Sequence, residues 1–178
     1  MATTAAPYGL RPIRRSDGMP YAGSTNQFLI DPAGEGTNLF YGQAVIIRAD
    51  GYIALATGTG ADLTSNSISG TSGVGAIGVF VGCEYVNSSG QRVQAQYYPS
   101  GTNSSSTAIK AYVIDDPNVL FQAQLDGSGA QTIIGTNTFF AAAQSTSTGS
   151  TSTGNSTSAL DATVQTAAAA FRIVSHVS

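Results

Sequence analysis

The side chains able to do acid–base, nucleophilic or metal chemistry are few and scattered. His176 is the one histidine and Cys83 the one cysteine among 178 residues. A Ser/His/Asp relay is arithmetically available, but no Gly-x-Ser-x-Gly turn presents a serine, and His176 sits almost at the C-terminal end. One histidine and one cysteine cannot hold zinc without several carboxylates, and no such cluster stands out. Cys83 follows the apolar run Val79-Phe80-Val81-Gly82, which reads as a small buried hydrophobe rather than a nucleophile. Asp115 and Asp116 are the only adjacent acidic pair. Neighbours on a strand point to opposite faces, and Pro117 favours a turn there; a calcium loop is the alternative. Gly70-Thr71-Ser72-Gly73-Val74-Gly75 lacks the lysine and the following helix of a phosphate cradle. The expectation is a chain with no catalytic residue, no metal site and no cofactor, and so not an enzyme.

Chemistry of another kind is suggested by the first 26 residues. Pro7, Pro12, Pro20, Gly9, Gly18 and Gly23 leave no room for a helical or strand period. The expectation is an extended N-terminal arm, residues 1–26, followed by a β-rich body, residues 27–178. Arg11, Arg14 and Arg15 are close to half of the chain's seven basic residues, and with Tyr8 and Tyr21 they are the candidate partner-binding residues. Two readings stand: a solvated tail, or an arm on a neighbouring subunit with guanidinium groups forking onto its carboxylates. On the second reading, residues 1–20 can be deleted without unfolding the body. Nucleic acid is not expected as a partner, because the net charge is -3 and no aromatic platform accompanies the arginines.

The elements that must carry such an arm are strands. Short apolar runs at Gln27–Ile30, Gln43–Arg48, Tyr52–Ala56, Ile77–Val86, Gln91–Tyr98, Ala108–Ile114 and Asn118–Gln124 are separated by turn residues. Asp50-Gly51 predicts a hairpin with a type I′ turn. In Gln91–Tyr98 the residues Val93, Ala95 and Tyr97 alternate with Gln94, Gln96 and Tyr98, giving one buried and one polar face. Residues 57–76 read as a long loop. Thr136–Ala143 fits a strand or a short helix, Leu160–Ala170 is the one stretch suited to an amphipathic helix, and Phe171–Val177 is a final strand. Residues 144–158 are low in complexity: either a linker, or an ordered excursion packed on a neighbour. The fold expected is all-β, a small β-barrel or sandwich with long Gly/Ser/Thr-rich loops.

Only 10% of the residues are charged, far below the usual quarter or so, which suits a surface hidden against partners. There is no apolar run of 18 residues and no signal-type stretch after Met1, so synthesis in the cytoplasm, away from membranes, is expected.

The stretch Tyr8-Gly9-Leu10-Arg11-Pro12-Ile13-Arg14-Arg15-Ser16-Asp17-Gly18 resembles a family of small structural virion proteins of tailed bacteriophages. The resemblance continues through Asn38–Gln43, Gly78–Tyr85, Asp115–Asn118, Gly154–Ser156 and Phe171–Val174, covering most of the chain. It implies a head decoration (cement) protein, a homotrimer on the capsid surface whose partners are itself and the major capsid protein. Tyr41–Val45 with Ala49–Ile53 also resembles the small barrel of some decoration proteins. No catalytic or cofactor residue comes with the resemblance. A tail, neck or adaptor component is the alternative role. A carbohydrate-binding head module, with Tyr97 and Tyr98 as an aromatic platform, is another.

Overall fold

A computed structural model describes residues 6–33, 35–57, 76–102, 108–145, 148–167 and 169–177. It is nearly all β, and no α-helix occurs among the described residues. The strands are β1 (Arg11–Arg15), β2 (Asn26–Ile30), β3 (Ala44–Ile47), β4 (Ile53–Leu55), β5 (Ala76–Val86), β6 (Arg92–Ala95), β7 (Ile109–Ile114), β8 (Val119–Gln122), β9 (Asn137–Thr138) and β10 (Phe171–Arg172).

Six strands share one sheet in the order β3-β4-β2-β7-β5-β6, and β3 also pairs with β5. The pairings therefore run in a cycle, β3 to β4, β2, β7, β5 and back to β3, with β6 hanging from β5. Strand β5 is long enough to do this. Its first half meets β3 from Ala76 to Val79, and from Val79 onward it meets β7.

The apolar runs of the β3–β4 hairpin are continuous because both of its faces are buried. Val45, Ile53 and Leu55 join Ile30, Phe80, Ile109 and Val113 in one core. The alternate residues Ala44, Ile46, Ala54 and Ala56 join Leu10, Val79 and Phe140 in a second core. A side-chain period of two sends successive residues to opposite faces, so a strand packed on both sides reads as unbroken apolar sequence. Each fully buried Ile, Leu or Phe contributes about 1.5–3 kcal/mol by leaving water.

The Asp50-Gly51 hairpin forms, but around a three-residue loop. Arg48 N–H bonds Tyr52 O at 2.8 Å, Gly51 N–H bonds Arg48 O at 2.9 Å, and Gly51 alone carries the left-handed φ of +83°. The β5–β6 hairpin has the same build, with Gly90 at +77° and the same two backbone bonds between Asn87, Gly90 and Gln91. A loop of three with a left-handed glycine matches the twist of the flanking strands.

Several expectations change. Residues 11–15 are extended, but they pair with β8 of the same chain, from Arg11 opposite Gln122 to Arg15 opposite Val119. Leu10 is only 2% exposed. Gly9 and Gly42 cross so closely that a Cβ on Gly9 would stand 2.7 Å from Gly42 O. The segment is thus woven into the second core, and deleting residues 1–20 would remove core contacts rather than a free arm. The reason is Leu10: with a backbone bond from its N–H to Gly42 O, its apolar side chain is worth more buried than trailing.

In the Gln91–Tyr98 stretch the strand stops at Ala95, and a bend at Gln96 and Tyr97 resets the alternation. Tyr98, expected on the polar face, is fully buried and donates to Thr102 O at 2.8 Å. Leu160–Ala170 has no helix among its described residues. Thr136–Ala143 yields the two-residue β9 and a bridge from Phe140 to Leu160, and Phe171–Val177 keeps only β10 as strand. Residues 58–75, which include the Gly70–Gly75 stretch and nearly all of the expected long loop, lie outside the described residues.

The described part of residues 144–158 is an excursion sealed onto its own body. Gln144 Oε1 accepts Ala44 N–H at 3.1 Å, and its Nε2 donates to Ala56 O at 2.7 Å. Gln43 donates to Thr148 Oγ1 at 2.8 Å, and Ser156 and Ser158 bond each other at 3.0 Å. Gly149 lies flat against the ring of Phe40, where any Cβ would collide.

Candidate functional site

Between the β1–β8 pair and the C-terminal residues 171–177 runs an open groove of about 500 Å³. Its floor belongs to the second core: Phe121 and Phe171 line it, and Phe171 packs edge-on against Phe140 at 5.1 Å between ring centres. One wall carries Ile13, which stands at the register shift between Pro12 and Arg14 on β1. That residue is 44% exposed, and Val174 and Val177 on the opposite wall are 51% and 64% exposed. Water therefore contacts more apolar side chain here than a scattering of single surface residues would require.

The rim is cationic. Arg14 and Arg172 line the groove and are exposed, and Arg11 lies 4.5 Å over the ring of Tyr8, itself a lining residue. Arg11, Arg14 and Arg172 form no ion pair among the described residues, whereas Arg15, Arg48 and Arg92 do. The two carboxylates adjacent in sequence to lining residues are bonded to backbone N–H groups instead. Asp126 accepts Ala162 N–H, and Asp161 accepts Thr163 N–H.

Of the five residues expected to touch a partner, three gather here: Tyr8 and Arg14 on the groove, and Arg11 stacked on Tyr8. Arg15 is engaged within the chain, with Nη1 3.1 Å from Asp116 and Nε 3.3 Å from Asp17. Asp116 is held below the usual carboxylate range chiefly by the backbone N–H of Asn118, with Arg15 adding to it. Its role in the turn is structural, as it accepts Asn118 N–H at 2.9 Å. Tyr21 lies apart and donates to Ser24 O at 2.7 Å, its hydroxyl raised by burial. Sequence reasoning missed Ile13, Arg172, Val174 and Val177 as members of one site. The signal was the alternation of Phe171, Ile173 and polar neighbours near the C-terminus, which shows a strand-like face but not its exposure.

The groups with inherent reactivity are elsewhere or occupied. Cys83 is buried, donates weakly to Tyr97 O at 3.4 Å, and its thiol is pushed up to about 12 by burial. His176 Nε2 stands 3.1 Å from Ala130 O at one end of the groove. No three His, Cys, Asp or Glu side chains come together as metal donors among the described residues. Tyr97 and Tyr98 make no open platform, since Tyr98 is buried and Phe40 stacks on Tyr97 at 5.6 Å.

No family model matches the chain, and neither a curated protein nor a solved structure matches it. Among the described residues no helix is long and apolar enough to cross a membrane.

Proposed function

We propose that the chain is a non-enzymatic structural protein of a tailed-phage virion, a decoration (cement) protein bound to the outer surface of the icosahedral head. The supporting observation is where the stretch most like those phage proteins lies. Tyr8–Gly18 contains β1, which forms one wall of an open groove whose apolar and cationic side chains are left exposed by the described residues. A body of this kind suits the role: the cycle of strand pairings reads as a small barrel, and closing a sheet removes the free edges that would pair indiscriminately. The low charge suits repeated burial against the shell, and a homotrimer contacting the major capsid protein would gain avidity from many modest contacts.

Cryo-EM of particles carrying the protein tests this. Density for the chain on the outer head surface, at copy numbers in the hundreds, is expected. Density confined to the tail or neck, at tens of copies, would instead assign it to the tail, neck or adaptor.

A further inference from the structure

We propose that the groove between β8 and residues 171–177 receives an extended segment of a partner polypeptide in which apolar side chains alternate with carboxylates. Three observations define that occupant. The floor and walls are apolar, with Ile13, Phe121, Phe171, Val174 and Val177 available to contact. Arg14 and Arg172 line the groove and Arg11 stacks on the lining Tyr8; none of the three forms an ion pair among the described residues, so the groove is framed by cations on a molecule whose net charge is -3. Unlike charges placed in this way select the partner and speed its arrival.

The third observation is the state of the backbone. Among the described residues, strand β8 pairs with β1 alone and no backbone-to-backbone hydrogen bond joins residues 174–177 to the body. A strand edge with no strand paired to it among the described residues, beside an apolar groove, favours an added extended chain over a helix. An extended segment of about ten residues presents side chains to opposite sides every ~3.3 Å, so one face can fill the floor while the other meets the arginines. The decoration reading supplies a source for such a segment, a shell subunit, but the chemistry of the groove does not depend on it.

The test uses the full chain and dye-labelled peptides of about ten residues, read by fluorescence anisotropy at low salt. One alternates valine with glutamate, the second valine with lysine, and the third serine with glutamate. The valine–glutamate peptide is expected to bind about tenfold more tightly than either control. Its affinity should fall about tenfold when Arg14→Glu and Arg172→Glu are combined, and fade with added salt. Arg92→Glu, an exposed charge on β6, should leave binding unchanged. Equal binding of the three peptides, no binding, or indifference to the charge reversals would overturn the proposal. So would tighter binding of a single-stranded oligonucleotide. Sedimentation of the protein alone covers the remaining occupant: self-association abolished by the same two reversals would assign the groove to a second copy. Binding of heads by the charge-reversed protein is scored separately. Undiminished head binding with lost peptide binding leaves the decoration role standing and removes the groove from it. Peptide binding without any head binding does the reverse.

Discussion

Residues 144–158 contain hardly an apolar side chain, yet their described part is sealed against the body. The groove beside β8 is lined by Ile, Leu, Phe and Val, yet it stays open. The difference lies in what each region finds to pair with. Gln144 meets the N–H of Ala44 and the C=O of Ala56 at hydrogen-bonding distance, so burying its amide leaves nothing unsatisfied. The groove's guanidinium groups meet no carboxylate among the described residues, and closing the chain over them would bury unpaired charge at a cost of several kcal/mol. Cations on the rim thus keep the apolar floor exposed. Composition alone would have ranked the two regions the other way round.

The strongest test of this contrast is Gln144→Leu, which nearly conserves volume while leaving Ala44 N–H and Ala56 O buried without partners. A loss of about 3 kcal/mol is expected, read as a lower midpoint in urea unfolding. A change below about 0.5 kcal/mol would mean the seal comes from shape and not from hydrogen bonds. Glu35 probes the opposite case, a sealed polar group with poor compensation. Its side chain is fully buried, and burial pushes its carboxyl up, with Arg48 3.6 Å away offsetting this only in part. A raised carboxyl holds its proton to higher pH in the folded protein than in the unfolded chain. Stability contributed at this position is therefore highest below the ordinary glutamate range, and it is lost as pH rises through the folded value. Glu35→Gln should raise the melting midpoint by a few degrees at pH 7 and leave it nearly unchanged at pH 4 in paired thermal scans. A lower midpoint at pH 7 would show that the Arg48 pair outweighs burial. The smallest effect belongs to the open region: Val174→Ser with Val177→Ser should shift stability by no more than about 0.5 kcal/mol. A larger loss in the same urea titration would show that these side chains belong to the core.

Much of the strand content could be read from the chain, because β5 and the β3–β4 hairpin have apolar runs bounded by Asp-Gly or Asn-Ser-Ser-Gly turns. What could not be read was which runs face two cores. The alanines at positions 44, 54 and 56 look like filler in sequence, and only the second layer reveals that small side chains let Phe140 and Leu10 approach. Prolines and glycines near the N-terminus hid strand β1, which pairs with β8 despite Pro12, and they conceal Leu10, whose place in the core is fixed by its own bond to Gly42 and that of Gly9 to Ser158, far along the sequence. For the site, the arginines were visible and their grouping was not. Arg15 left the set because Asp116 lies within reach, and Arg172 joined it because β10 returns to the same face. Both facts are long-range, and no local pattern encodes them.

The bond from Gly9 N–H to Ser158 O has a consequence for how the chain acquires its structure. These two residues leave the ribosome roughly 150 residues apart, and synthesis at about 5–20 residues per second separates them by roughly 7 to 30 seconds. Contacts between such distant positions slow folding, since the intervening loop must close before they reward it. The Gly9–Ser158 bond therefore closes only after nearly the whole chain is made, whereas Gly42, which accepts the Leu10 N–H, is within reach far earlier. The segment that looks like an arm in the sequence is thus tied at both an early and a late position of the chain, Gly42 and Ser158.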